Sequence, residues 1–349
     1  MLQSITLQDF RNHHQSKFHF EKNKVVFLGP NGAGKTSALE AIMILILGKG
    51  WRESGNVEFI RDGGKKAPSA KIFGNFSDHI VREALLTPEK KILRENDKEI
   101  GWKQWMNRFG VVLFSPEMLT LFRGQKRDRV RFFDRFCSQL IPEYSTYLKN
   151  ANQAHKQKTA LLKYRTGKAE MQSWNTILAE NVPPIVEIRK KILAEMTPLA
   201  REAVKIVNPD LPPVKLQLSV AENFSPTGDG VMQFLEENEE RERVMKKNLV
   251  APHRDDFLVF FGHKPITENA SRGEERLTIL SLLAAQKSMF EHQKGKAPFW
   301  LLDDVFSELD QKKQDHLIEL CGDCPAFFTT THHEYIKFFH GDIQVVELP

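Results

Sequence analysis

Three short stretches hold residues whose types and spacing can do chemistry. The first, "GPNGAGKT", runs through Gly29, Pro30, Asn31, Gly32, Ala33, Gly34, Lys35 and Thr36 and fits the phosphate-loop pattern G-x-x-x-x-G-K-[ST]. An apolar "VVFL" precedes it, and a helical pattern from Lys35 to Leu47 follows. The glycines permit a tight turn whose backbone N–H groups point inward at phosphate oxygens. Lys35 brings positive charge to the β- and γ-phosphates and Thr36 a hydroxyl to Mg²⁺, so ATP and Mg²⁺ are the expected cofactors. The second stretch, "FWLLDD", describes a buried strand ending at Asp303, the place where open α/β sheets gather their ligands. Asp303 suits a metal held through water. Asp304, pointing to the other side of the strand end, suits the task of orienting or deprotonating an attacking water. A further apolar strand, "FFTTTHH", offers His332 at its tip as a hydrogen-bond partner for a γ-phosphate. The third stretch, "ASRGEERLTILSL", opens a long helix. Gly273 allows close approach to a phosphate, Ser271 offers a hydroxyl, and the helix N-terminus adds partial positive charge. The same residues also read as a plain capping box, Ser271 as N-cap with Glu274 three residues on.

The elements that must position these groups follow from hydrophobic periodicity. Residues 1–30 read as a strand meander, "SITLQDF", "SKFHF" and "KVVFLG", and further strands are expected at "AKIFGNF", "KILREN" and "VVLFS". From Leu119 to Lys205 the texture becomes helical and basic, with 17 Lys and Arg against 8 Asp and Glu. That segment is +9 in a chain whose formal charge is +5, so the rest is acidic and an anionic partner is expected at the insert. "NPDLPP" at 208–213 breaks the helical run, and strands return at "VKLQLSV" and "DDFLVFF". The acidic run "EENEERER" at 236–243 reads as a solvated helix face. Three cysteines, Cys137, Cys321 and Cys324, make no disulfide framework and point to reduced thiols in a cytoplasmic setting. The N-terminus lacks a signal-peptide pattern, and the longest apolar run, Ala41 to Leu47, is too short to cross a bilayer, so no membrane partner is expected.

These motifs, in order and spacing, resemble the RecF family of bacterial recombination-mediator proteins, which are ABC-type ATPases. The resemblance runs through "LQDFRNH", "GPNGAGKTSALEAI", "GKGWRESGNVEFIRDG", "VVLFSPEMLTLFRGQKRDRVRFFD", "VAPHRDDF", "ASRGEERLTILSL", "LLDDVFSELD" and "TTTHHEY". It implies an α/β P-loop NTPase head of the ABC type with an inserted, mostly helical second lobe. The parts would be an N-terminal head segment at 1–118, a basic helical lobe at 119–205, and a C-terminal head segment at 206–349 carrying the signature motif, the Asp pair and His332. It implies that Arg11 and Asn12 lie near the nucleotide and that "SELD" is the D-loop. It also implies that Ser271 and Gly273 dock on the γ-phosphate held by a second copy, so that ATP joins a homodimer. The implied work is weak ATP hydrolysis coupled to binding of single-stranded and duplex DNA at gaps. With RecR- and RecO-type mediators, this helps to load the RecA recombinase in repair and the SOS response. The chain departs from the family at Arg272 and Glu274, where many relatives carry Gln, and it shows no convincing Q-loop glutamine; "FSPE" stands near the expected place.

Within the insert, Arg127, Arg131 and Arg135 fall on one helical face that suits a phosphate backbone. Phosphate contacts carry no base identity, which fits a protein directed to gaps. Two other readings use the same motifs: the ATPase subunit of a membrane transporter, which would not need the basic insert, and a DNA clamp in which bound ATP is only cement.

Overall fold

The computed structural model describes residues 1–52, 55–65, 67–164, 168–207, 211–339 and 343–349. They form two units, residues 1–119 with 286–349, and residues 120–285.

The first unit holds two sheets. One is antiparallel, in the order His13–His19, Leu2–Phe10, Ala70–Phe76, Val81–Leu86, Lys91–Glu95, Lys98–Glu99. Its strand Ala70–Phe76 alternates buried and half-buried residues, the period-two pattern of a sheet with one covered face. The other sheet is parallel throughout, in the order Gln344–Glu347, Lys24–Leu28, Ala326–Thr330, Phe299–Leu302, Val111–Phe114. Its three central strands are near-continuous apolar runs, as strands covered on both faces must be. The helix Lys35–Leu47 is buried on almost every side. Its Leu39, Ile42 and Ile46 share one apolar cluster with Leu2, Ile5 and Ile72 of the antiparallel sheet and Val25, Phe27, Leu301 and Phe327 of the parallel one. Register sets the functional edge: Thr330 pairs with Leu28, and Leu302 with Phe328 and Phe114. The phosphate loop, the Asp pair and the threonine run therefore leave neighbouring strands at the same end.

The second unit is helical, with Lys126–Leu140, Pro142–Tyr164 and Lys168–Val207 as its main elements. The last of these carries Pro183, Pro184 and Pro198 and ends just before the expected "NPDLPP" break, part of which, 208–210, lies outside the described residues. Residues 206–285, grouped by sequence with the C-terminal head segment, fall in this unit instead. The reason is strand pairing: Val214–Ser219 pairs antiparallel with Asp256–Phe261, and these two with Lys264–Pro265 make a separate three-stranded sheet. Arg189, fully buried, ties the unit together by bonding Asp134 at 2.8 Å, Asp255 at 2.6 Å and the Pro252 carbonyl at 2.9 Å. The acidic run is not wholly solvated, because Glu242 is buried and pairs with buried Lys158 at 2.6 Å. The three cysteines are free and buried, and burial raises each thiol's pKa.

Candidate functional site

The phosphate loop joins the strand Lys24–Leu28 to the helix Lys35–Leu47. Gly32 at φ 88° and Gly34 at φ 97° take left-handed conformations that a side chain resists. Gly34 also has no room for one: a Cβ would sit 2.7 Å from His13 Nε2 and 2.9 Å from Asn12 Nδ2. Lys35 Nζ donates to the carbonyls of Gly29 at 2.7 Å and Pro30 at 2.8 Å, curling over its own loop. Burial pulls the Lys35 pKa down, while Asp304 and Asp303 act against it. Thr36 Oγ1 donates to Asp303 Oδ1 at 2.8 Å, so residues 267 positions apart meet where a hydroxyl and a carboxylate can share a divalent metal. Thr329 Oγ1 donates to the same oxygen at 2.8 Å and accepts the Asp304 N–H at 2.8 Å. One hydroxyl, which the sequence reading did not single out, thus fixes both acids. Burial raises the Asp303 pKa; the Thr329 and Thr36 hydrogen bonds oppose that, and Glu117 of the "FSPE" segment adds to it.

Asp304 holds a left-handed backbone at φ 45°, which is uncommon outside glycine. Its Oδ2 accepts from Ser307 Oγ at 3.0 Å, and its Oδ1 is buried without a hydrogen-bond partner among the described residues. A buried carboxylate oxygen left unpaired is costly unless something else meets it, and an attacking water would do so. His332 is exposed, its ring set edge-on to Tyr335 at 5.6 Å. Asn31 and Pro30 are also exposed, at the open side of the loop.

Beside Thr36 lies a cavity of about 440 Å³ lined by Arg11, Asn12, Ser37, Glu40, Arg52 and Asp62 among others. Arg11, at φ 52°, donates to Glu40 Oε2 from Nε at 3.0 Å and Nη2 at 2.6 Å and lies over the Phe59 ring. Asn12 Nδ2 donates to the Gly32 carbonyl at 2.9 Å. Glu40, 1% exposed, and His13, also buried, stand at this site and were not singled out by the sequence reading. Helical spacing from Thr36 marks Glu40 as one turn on, yet an acid inside so apolar a helix is the signal that it serves a cation.

In the second unit, the signature stretch forms the capping box in full. The Ser271 N–H donates to Glu274 Oε2 at 2.6 Å, and the Glu274 N–H donates to Ser271 Oγ at 3.3 Å. Arg123 bonds Glu275 Oε1 at 2.7 Å and the Ala270 carbonyl at 3.1 Å, bracing the turn that carries Ser271. On the basic helix, the side chain of Arg127 is 62% exposed and that of Arg131 34%. Arg135 is only half-buried by residue area, yet burial pushes its guanidinium down to about 10. The three expected phosphate contacts are therefore unequal. Arg129 makes a two-pronged bond to buried Asp256, at 2.8 and 2.9 Å, and is a structural cation.

The RecF/RecN/SMC N terminal domain family matches residues 1–337. DNA replication and repair protein RecF of Natranaerobius thermophilus is 30% identical over 99% of this chain and 94% of its own. The same-named protein of Halalkalibacterium halodurans is 32% identical over 95% and 92%. Among solved structures, the recombination mediator protein RecF-ATP of the RecFOR pathway superposes with a TM-score of 0.82 at 23% identity, over 95% of this chain and 92% of that one. An SMC head bound to the C-terminal winged-helix domain of ScpA gives 0.52 at 14%, over 97% and 92%. The expected fold, an ABC-type ATPase head with a helical second part, is the fold of this chain.

Proposed function

We propose that this chain, which belongs to the RecF family, is an ATP-binding protein of recombinational repair whose ATP-joined dimer holds DNA at gaps. The observation that carries the reading is the meeting of Thr36 and Asp303 beside a loop whose lysine turns back onto the loop's own carbonyls. ATP would supply the phosphoric anhydride and Mg²⁺ the neutralising charge. Lys35 exchanges the Gly29 and Pro30 carbonyls for phosphate oxygens. Thr36 and Asp303 would hold the metal, and the two hydroxyls on Asp303 Oδ1 keep that carboxylate in place. Asp304 Oδ1 takes a proton from the attacking water, and His332 donates to the terminal phosphate. Arg11 and Asn12 border the nucleoside end of the cleft. Ser271 and Gly273 receive the terminal phosphate of a second copy, and hydrolysis, which ends that contact, is slow.

The RecFOR pathway named for a structural neighbour supports RecO- and RecR-type partners, and delivery of RecA with them is part of the proposal. The test is anisotropy of a labelled gapped duplex titrated with protein. Mg-ATP should tighten binding over ADP or no nucleotide, and Lys35→Arg should lose that gain, since Arg keeps charge but not the compact ammonium. Equal binding in all three nucleotide states would separate DNA binding from the ATP site and defeat the proposal.

A further inference from the structure

Three consecutive residues at the junction of the first two strands hold the phosphate loop and its helix: Arg11 bonds Glu40 of the helix, while Asn12 bonds the Gly32 carbonyl and His13, which opens the second strand, the Gly34 carbonyl at 3.1 Å in the loop itself. The resemblance gives a place near the nucleotide to the first two alone. We propose that His13 is a positioning residue that sets the shape of the phosphate loop before nucleotide arrives, so that the Lys35 N–H is already aimed at phosphate. This rests on the reading of the loop as an ATP site.

The chemistry of His13 is fixed by its partners. A carbonyl can only accept, so Nε2 carries the hydrogen; Nδ1 then accepts from Ser16 Oγ at 2.9 Å. Both ring nitrogens are used, and the ring is buried, edge-on to Phe18 at 6.0 Å. Burial lowers the pKa of His13, in keeping with the neutral ring this pattern needs. The Gly34 carbonyl also accepts the Ala38 N–H at 2.8 Å, so both of its lone pairs are held. The peptide joining Gly34 to Lys35 is planar and trans, which points the Lys35 N–H opposite to that carbonyl, out of the helix N-terminus. Locking the carbonyl therefore aims the amide. The close approach also accounts for Gly34, since a Cβ there would collide with the His13 ring.

The experiment compares wild type with His13→Phe, which keeps the ring packing and loses both nitrogens, and His13→Gln, whose amide reaches the Nε2 position. Mg-ATP and Mg-ADP affinities are measured by titration, and amide hydrogen exchange of residues 32–36 is measured without nucleotide. His13→Phe should weaken ATP and ADP alike by about three- to ten-fold, the usual effect of one lost hydrogen bond, and speed exchange at 32–36. His13→Gln should stay within about two-fold of wild type. Wild-type affinity and exchange in His13→Phe would overturn the inference. So would a His13→Gln as weak as His13→Phe, which would assign the effect to ring packing. Should His13→Phe fail to fold, Ser16→Ala replaces it: the freed tautomer should weaken binding about two-fold, and an unchanged loop would count against the proposal. If wild type bound neither nucleotide, the ATP reading would fall, and the exchange comparison would still decide whether His13 orders the loop.

Discussion

Asp303 shows what a functional residue costs the fold. Burial raises its pKa above the ordinary 3.8, so the folded chain holds the proton more tightly than the unfolded chain does. Ionising it costs stability: the cost is absent below pH 3.8, grows as pH climbs through the folded value, and is complete above it. Asp303→Asn keeps an oxygen for Thr36 and Thr329 and removes the charge. Nucleotide-free protein should then melt higher than wild type at neutral pH while Mg²⁺-dependent hydrolysis is lost. A lower melting temperature by calorimetry would contradict this. Asp304→Asn should instead leave ATP affinity near wild type and cut turnover by at least about a hundred-fold, as loss of a general base does. Wild-type turnover would remove Asp304 from that role. Much at this scale was legible, because a phosphate loop is a local pattern and residue order nearly defines its geometry. Thr329, His13 and Glu40 were not legible. Each matters through a partner far away in sequence, Asp303, Gly34 and Arg11, and nothing in the local alternation of polar and apolar residues names that partner.

The helix that starts at Arg272 presents a conflict at its own mouth. Its capping box places the Glu274 carboxylate on the Ser271 N–H, where the proposed phosphate of a second copy must come. Two anions there repel, so Glu274 must turn aside for the dimer to close. Glu274→Gln should tighten the ATP dimer by roughly five-fold, about 1 kcal/mol of repulsion for charges screened as in bulk water, and lower monomer stability by about 0.3–1 kcal/mol through loss of a charge at the helix start. Ser271→Arg should abolish the dimer and leave monomer ATP affinity unchanged; the reverse pattern would assign the stretch to its own chain's nucleotide. On the basic helix, Arg127→Ala with Arg131→Ala should flatten the salt dependence of duplex binding by roughly two units of log–log slope. A double variant with wild-type slope would move the DNA surface elsewhere. Arg129→Ala should act on stability instead, by about 3–5 kcal/mol, because it leaves buried Asp256 unpaired. The 3.6-residue period placed 127, 131 and 135 on one face correctly. It could not show that exposure differs along that face, Arg127 lying open while Arg131 and Arg135 are half-buried, which depends on neighbours distant in sequence.

For the whole molecule, the strands and helices were largely legible and their grouping was not. "VKLQLSV" and "DDFLVFF" were expected as strands and are strands, but they pair with each other in the second unit, carrying residues 206–285 with them. Strand character is written locally, whereas the choice of partner strand is settled by burial across the whole chain. The phosphate loop lies in one unit and the start of the signature helix in the other, and a chain carries one of each. In the proposed function the two sites work between copies, with ATP as the joint. Sedimentation velocity at micromolar protein tests it most directly, using Asp304→Asn so that ATP persists. A shift from monomer with ADP to dimer with Mg-ATP, lost in Ser271→Arg, is the predicted result. A monomer at saturating Mg-ATP, in protein shown to bind it, would rule out ATP as the joint between copies.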